Sequence, residues 1–298
     1  MANKDWSKLI AKRIENAQGG EREELLKLSE SIPDLIRLGR GDPDLDTPEH
    51  IKQAAVKALE QNKTHYTHWA GTPALREAIC RKLARDNALS YTPDEIIVTT
   101  GVEEAMMCTM LALLNEGDEV IMGDPYYTSY GECVKIAGGK LVLIPTKEEN
   151  SFVLTADEIR KHITEKTKLL VIVSPNNPTG TLTPAEELEK IAQLAIEKDL
   201  LVISDEIYEK IIYEDFKHTS LASFPGMKER TIVFNGFSKA FSMTGWRIGY
   251  MAAPAQLVSL MQDLVNSTTI SVNEFVQEAA LAALEGGEEC IQKSRGNL

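Results

Sequence analysis

Short apolar runs alternate with stretches of helical periodicity along most of the chain. Residues 95–99, 119–122, 141–144, 168–173, 200–204 and 231–234 are brief and rich in Val, Ile and Leu, the pattern of buried strands. A further strand-like run covers 248–251. Helix-like segments separate them. One covers 102–114, and another covers 129–137 and is stopped by Gly138 and Gly139. A third opens at the capping box Thr155-Ala156-Asp157-Glu158, and a fourth runs from a second box, Thr183-Pro184-Ala185-Glu186, to Lys198. Two helices precede the first strand. Thr47 reads as the N-cap of one, with Pro48 at its first helical position and an apolar face of Ile51, Ala55, Ala58 and Leu59. Thr72-Pro73 repeats that start ahead of Leu75, Ile79 and Leu83. Runs at 254–264 and 273–284 close the pattern, with Gly286-Gly287 ending the second. Strands alternating with helices predict an α/β fold: a mostly parallel sheet covered on both faces, in a three-layer α/β/α arrangement. Residues 1–32 are polar and helical in character, with Leu9, Ile10, Ile14, Leu25, Leu26 and Leu28 as their apolar positions, and read as an arm; 38–43 is a turn-rich link.

Composition narrows the possibilities. The 298 residues allow one large domain or two smaller ones, and 43% hydrophobic content suffices for a sizeable core. A net charge of -13, from 32 basic and 45 acidic residues, argues against a partner that is a nucleic-acid backbone. No stretch approaches the roughly 20 apolar residues of a membrane helix, and the N-terminal Met1-Ala2-Asn3-Lys4-Asp5-Trp6 lacks an apolar signal core. Cys80, Cys108, Cys133 and Cys290 are scattered and read as reduced thiols of a cytoplasmic protein. His65 and His68 have no third ligand near them in the sequence, so no metal is expected.

Candidate chemistry follows from the strand ends. In an open α/β sheet, ligands bind beyond the carboxyl ends of the strands. The residues just past each run are Thr100-Gly101-Val102, Asp124 to Tyr127, Ser174 to Gly180, Asp205 to Tyr208, and Ser238-Lys239, with Arg247 shortly after. A helix start at Gly101–Val102, together with Ser238 and Arg247, suits a phosphate. Glu103 would repel that phosphate, so only backbone N–H groups are expected to act there. Asp205 at a buried strand end requires a cationic partner, and a protonated ring nitrogen would serve. Tyr127 offers a stacking face, Asn177 and Tyr208 offer donors for a ring oxygen, and Lys239 can form a Schiff base. A ligand with a phosphate, a basic ring nitrogen, a phenolic oxygen and an aldehyde is pyridoxal phosphate. Each feature has a plainer reading. Asn176 to Gly180 are turn formers, Asp205-Glu206 could be a loop charge pair, Tyr127 core, and Arg247 and Lys239 solvated surface. Their joint placement at strand ends favours the site.

Ser174-Pro-Asn-Asn-Pro-Thr-Gly180, Asp205-Glu-Ile-Tyr208 and Asn235-Gly-Phe-Ser-Lys-Ala-Phe-Ser-Met-Thr-Gly-Trp-Arg247 resemble the class I/II aminotransferases, pyridoxal-phosphate enzymes of fold type I. Gly41-Asp-Pro-Asp44, Tyr66 and Asp118-Glu-Val-Ile121 fit as well. The resemblance implies that Lys239 carries the Schiff base and shuttles the proton, while Asp205 keeps the ring nitrogen protonated. It places Asn177 and Tyr208 on the ring oxygen and Tyr127 on the ring face. Gly101, Val102, Glu103, Ser238 and Arg247 would hold the phosphate. It sets Gly41 and Asn177 beside the substrate, and sends Tyr66 to the phosphate of a neighbouring subunit, so a homodimer with shared sites is expected. The reaction implied moves an amino group between an L-amino acid and a 2-oxo acid. A carbon–sulfur lyase on the same fold and a cofactor-binding protein of little activity are the alternatives. The implied organisation is an arm with part of a small domain over 1–46, a cofactor-binding large domain over 47–285, and the start of an incomplete small domain over 286–298. The family pattern continues past Leu298 and there supplies the arginine that pairs with the substrate carboxylate, so weak turnover is expected of this chain.

Overall fold

The computed structural model describes residues 5, 9–15, 20–36, 39, 41–213 and 215–286. Its strands are β1 (Ile96–Thr99), β2 (Glu119–Asp124), β3 (Lys140–Pro145), β4 (Thr167–Val173), β5 (Leu201–Asp205), β6 (Thr231–Gly236) and β7 (Gly249–Ala252). Its helices are α1 (Lys12–Glu15), α2 (Gly20–Ser31), α3 (Glu49–Glu60), α4 (Pro73–Asn87), α5 (Val102–Leu113), α6 (Thr128–Ile136), α7 (Ala156–His162), α8 (Ala185–Glu197), α9 (Ala255–Leu260), α10 (Gln262–Thr268) and α11 (Glu274–Gly286).

All seven strands join one sheet in the order β1-β7-β6-β5-β4-β2-β3. The strands β6, β5, β4, β2 and β3 run parallel. Only β7 is reversed, antiparallel to both β1 and β6. The carboxyl ends of the other six therefore share one edge, the arrangement on which the reading of the strand ends depended.

Side chains alternate across the sheet and separate its two faces. Ile97, Val120, Met122, Leu169, Val171, Ile203, Ile232, Phe234 and Met251 lie on one face, under α5, α6, α9 and α10. On the other face, Ile96, Val98, Val233 and Tyr250 pack against α3, α4 and α11. Beside them Ile121, Leu170, Ile172 and Val202 pack against α7 and α8. The three-layer α/β/α arrangement expected from the sequence is thus present. Within the second layer, α11 presents Ala279, Ala280 and Ala283, all fully buried. Their small side chains let α3 and α4 approach closely.

Several element ends differ from the sequence-based expectation. Thr47 does not cap α3: the N-cap position is Pro48, which makes no side-chain cap. The Thr47 hydroxyl instead donates to Ser242 O at 2.6 Å. Likewise α8 starts after Pro184 without a side-chain cap, and Thr183 is drawn inward, its N–H donating to Ser174 Oγ at 3.0 Å. Thr155 does cap α7, accepting from Glu158 N. The run at 254–264 and beyond is split at Met261 into α9 and α10. Of the segment 286–298, Gly287 onward lies outside the described residues, as does Cys290. Among the described residues, no helix is long and apolar enough to cross a membrane.

Candidate active site

Strand β6 ends at Gly236, whose register partner on β7 is Gly249. A side chain at Gly236 would come within 2.9 Å of the Gly249 Cα, so the two strands meet backbone to backbone. The reversed strand is pressed equally hard on the other side, where a Cβ on Gly249 would lie 3.0 Å from Val102 N and 3.1 Å from Gly101 C. Two glycines thereby allow the start of β7 to lie directly against the N-terminus of α5.

Between those strands the chain makes the loop that carries Ser238, Lys239 and Arg247. Phe237 is fully buried and anchors the loop in the core. Arg247 takes a left-handed conformation, φ 53°, at the C-terminal end of a 3-10 turn over Thr244–Trp246. Its guanidinium donates to Thr244 O at 3.1 Å and to Thr100 O at 3.5 Å. Gly101 takes φ +86°, a conformation that L side chains rarely adopt, and a Cβ there would fall 2.9 Å from Arg247 Nη2. The arginine therefore sits over the first turn of α5, whose leading N–H groups have no partner inside the helix. Glu104 fixes that turn from behind, accepting from Thr100 N at 2.5 Å and from Thr100 Oγ1 at 2.6 Å. The charge of Glu103 is felt at Tyr130, Cys133 and Asp205.

Lys239 is half-buried and its Nζ donates to Gly41 O. The same nitrogen lies 5.5 Å from the Tyr208 ring centroid. Burial pulls its pKa below the ordinary 10.5, Asp42 acts against that, Arg247 lowers it further and Asp205 again opposes. The 41–47 segment is stitched to the lysine loop. Thr244 Oγ1 donates to Asp42 Oδ1 at 2.5 Å, and Trp246 Nε1 donates to Thr47 Oγ1 at 3.0 Å. A Cβ on Gly41 would face Tyr208 Oη at 3.5 Å and Lys239 Nζ at 3.7 Å, so Gly41 lines the same space as both.

Asp205 ends β5 and is 3% exposed. Its Oδ2 accepts from Tyr130 Oη at 2.5 Å and its Oδ1 from Ile207 N at 3.1 Å. Burial raises its pKa from 3.8 to about 6, against the two hydrogen bonds, with Glu206 and Glu103 adding repulsion. Tyr208 is pushed up to about 12 by burial and then by the charge of Asp205. Asn177 Nδ2 is 3.5 Å from Tyr208 Oη. Tyr127 meets Tyr130 edge-to-face, with centroids 5.2 Å apart and planes at 88°.

The loop after Asp205 is held from beneath by a buried polar cluster. Glu206 Oε1 accepts from Ser204 Oγ at 2.8 Å and from Ser220 Oγ at 2.6 Å. Its Oε2 accepts from Asn87 Nδ2 at 3.2 Å. Glu209 accepts from Asn87 at 2.6 Å and forms an ion pair with Lys82. His218 lies 3.9 Å from Glu206 and 4.0 Å from Glu209. Glu206, Glu209 and His218 are close enough to one another for a metal ion, but both carboxylates are already engaged by protein donors.

These groups, set around one strand edge, can be compared with known proteins. The family profile described as "Aminotransferase class I and II" matches residues 33–298. An aspartate aminotransferase of Pyrococcus abyssi is 46% identical over 276 residues, covering 92% of this chain and 71% of that protein. One from Geobacillus stearothermophilus is 42% identical over 290 residues, covering 97% and 74%. The chain belongs to the class I and II aminotransferase family. Solved structures of the family agree with the fold. A Thermus thermophilus aspartate aminotransferase with maleate superposes with a TM-score of 0.91 at 42% identity, over 96% of this chain and 76% of that one. The Rhizobium meliloti aspartate aminotransferase gives 0.94 at 36% identity, over 97% and 74%.

In this aminotransferase-family chain, the structure gathers Lys239, Tyr208, Asn177 and Gly41 around one space, with Asp205 behind it and Gly101, Val102 and Arg247 at its end. Ser238 precedes Lys239 on the same loop. Tyr66 is not drawn in by its own chain and is 81% exposed. His68 accepts from Ala70 N and so belongs to a turn. Asp205 and Glu206 are both buried, which rules out a solvated loop pair. Sequence reasoning missed three contributors: Tyr130, Glu104 and the Lys82–Glu209 pair. Tyr130 lies within an apolar helix pattern and looks like core, while the Lys82–Glu209 contact spans 127 residues of chain. Only Glu104, four residues after Thr100, offered a local signal.

Proposed function

We propose that this edge of the sheet binds pyridoxal phosphate and exchanges an amino group between an L-amino acid and a 2-oxo acid. The observation that carries the reading is Lys239. It is a half-buried amine with a lowered pKa, facing Tyr208 and Gly41 and near enough to Asp42, Arg247 and Asp205 to feel their charges. The donor set fits the cofactor. Gly101, Val102 and Glu103 would offer backbone N–H groups to the phosphate, with the Arg247 guanidinium close over Gly101; Ser238 and Arg247 would complete that grip. Asp205 would hold the proton on the ring nitrogen, Tyr208 and Asn177 would donate to the ring oxygen, and Tyr127 would pack on the ring. Bound there, pyridoxal phosphate supplies an electron sink conjugated to the carbon that carries the amino group.

The chain's own residues then have separable tasks. Lys239 Nζ would be the amine that holds the cofactor's carbonyl carbon, and as a free amine it would carry a proton to and from the substrate carbon. Its lowered pKa increases the share of free amine able to do so. Gly41 and Asn177 flank the substrate carboxylate. Tyr66 reaches a neighbouring chain, so the active unit is a homodimer; its 81% exposure supports this. The free thiols Cys80, Cys108 and Cys133 support a reducing, cytoplasmic setting. We take 47–285 as the cofactor-binding unit, since all but Gly41 of the gathered groups fall within it.

Borohydride reduction in the presence of pyridoxal phosphate, followed by peptide mapping, tests the assignment. The cofactor should be found on the Lys239 peptide, and label on another lysine would refute it. The relatives are named as aspartate aminotransferases, so aspartate with 2-oxoglutarate is the first pair to assay. Release of pyruvate and ammonia without a 2-oxo acid would point to lyase chemistry instead.

A further inference from the structure

We infer that Tyr130 is a positioning residue for the cofactor's ring nitrogen, acting through Asp205: its phenol holds the Asp205 carboxylate ionised and aimed. The inference rests on the proposed function for its purpose, but its structural part stands alone. Tyr130 is 4% exposed and lies in the first turn of α6, with its hydroxyl 2.5 Å from Asp205 Oδ2. A phenol whose own pKa is driven well above 10 by burial remains a donor throughout the useful pH range. A donor to an ionised carboxylate favours the charged form, whereas it gains less from a neutral acid that has its own proton to place.

The other groups that face Asp205 make this contact matter. Glu206 on its own loop and Glu103 on α5 both oppose its charge. Lys239, past β6, interacts favourably with Asp205, and Tyr208 feels its charge. That help is a charge at a distance and not a hydrogen bond, since Lys239 Nζ donates to Gly41 O. Among the described residues, Ile207 N–H and Tyr130 O–H are the donors to the carboxylate itself. Tyr130 also meets Tyr127 edge-to-face, so one side chain fixes both the acid and the residue proposed to pack on the ring.

Tyr130→Phe removes the hydroxyl and keeps the ring against Tyr127. In the cofactor-free chain with 13C-carboxyl aspartate, the Asp205 resonance is identified by its loss in Asp205→Asn. Its titration midpoint should rise by about one pH unit or more in Tyr130→Phe. An unchanged midpoint in a variant with wild-type circular dichroism overturns the inference. Should the variant fail to fold, the unsubstituted chain still decides. Exchange of the phenolic proton for deuterium should shift the Asp205 carboxyl resonance, and the absence of an isotope shift overturns the inference too. With 15N-labelled pyridoxal phosphate bound, the ring-nitrogen resonance should move toward the neutral pyridine in Tyr130→Phe. A ring nitrogen already neutral in the unsubstituted protein would instead refute the role given to Asp205, leaving the Tyr130 contact to be judged on the cofactor-free titration.

Discussion

Replacing Asp205 by Asn should make the cofactor-free protein more stable, although it removes a group assigned to the chemistry. The ordinary aspartate value of 3.8 is raised to about 6 in the fold, with burial as the leading cause. A rise of about 2 units corresponds to ~3 kcal/mol. The sign follows from proton binding. The native chain holds the Asp205 proton more tightly than the unfolded chain does, so ionising that group between pH 3.8 and 6 favours unfolding. Stability from this site is present below that window and is lost above it. Asn carries no charge. Its Oδ1 can accept from Ile207 N and its Nδ2 can donate to the Tyr130 oxygen, so neither partner is orphaned. At pH 8 the cofactor-free variant should therefore exceed the parent by up to ~3 kcal/mol, and at pH 4 the gap should nearly close. Urea denaturation of both chains at the two pH values measures this, and comparing them at each pH cancels the other carboxylates. Adding pyridoxal phosphate should reverse the order, because a ligand that binds the native state stabilises it by mass action and the amide cannot balance a pyridinium. A variant no more stable than the parent at pH 8 without cofactor would refute the reasoning.

Other substitutions probe separate parts of the site. Gly101→Ala forces an L-residue to φ +86° and sets a methyl 2.9 Å from Arg247 Nη2; affinity for pyridoxal phosphate should fall by about tenfold or more. Affinity for pyridoxal, which lacks the phosphate, should change far less in fluorescence titrations, and equal losses would refute the grip. Gly41→Ala meets only ordinary contacts at 3.5 and 3.7 Å, so stability should stay within about 0.5 kcal/mol while amino-acid affinity drops, as judged by spectral titration. Lys82→Met strands the buried Glu209 carboxylate and should cost about 3–5 kcal/mol in a urea melt at pH 7. Burial raises the pKa of Glu209 but Lys82 outweighs it, leaving a value below 4.5. The pair's contribution is thus present above 4.5 and lost as pH falls through the native value, so the variant's deficit should shrink in acid; a deficit that grows there would contradict the pairing.

The strands were legible because each is a short apolar run, and the observed bounds of β1 to β7 lie within two residues of the pattern. The site was legible for the same reason: six strands share a direction, so the residues after them reach one edge. What the sequence could not show depends on distant partners. Thr47 and Thr183 have the chemistry of N-caps, but the Thr47 hydroxyl is taken by Ser242 O and Trp246 Nε1, and Pro48 and Pro184 fall at the capping positions instead. The reversal of β7 leaves no local trace either, since an apolar run has no direction. Lys82 sits on a helix where a lysine ordinarily meets water, and only the fold brings Glu209 to it.

The reversed strand has a consequence for how the molecule assembles. β7 is the last strand in sequence yet it lies between β6 and β1, the first, pairing Thr99 with Gly249. A chain emerging from the ribosome can form β2 to β5 while β1 is still without β7, its neighbour in the sheet. Contacts that close so long a loop form late and slowly. Until β7 is inserted, Gly101 and Arg247 belong to separate pieces of chain, and the proposed phosphate grip is not assembled. On the proposed function, pyridoxal phosphate would therefore act as a clasp: it would bind the conformer in which insertion is finished, and each binding event would withdraw that conformer from exchange with open forms. Supplying pyridoxal phosphate during synthesis would then raise the yield of closed molecules as well as loading them.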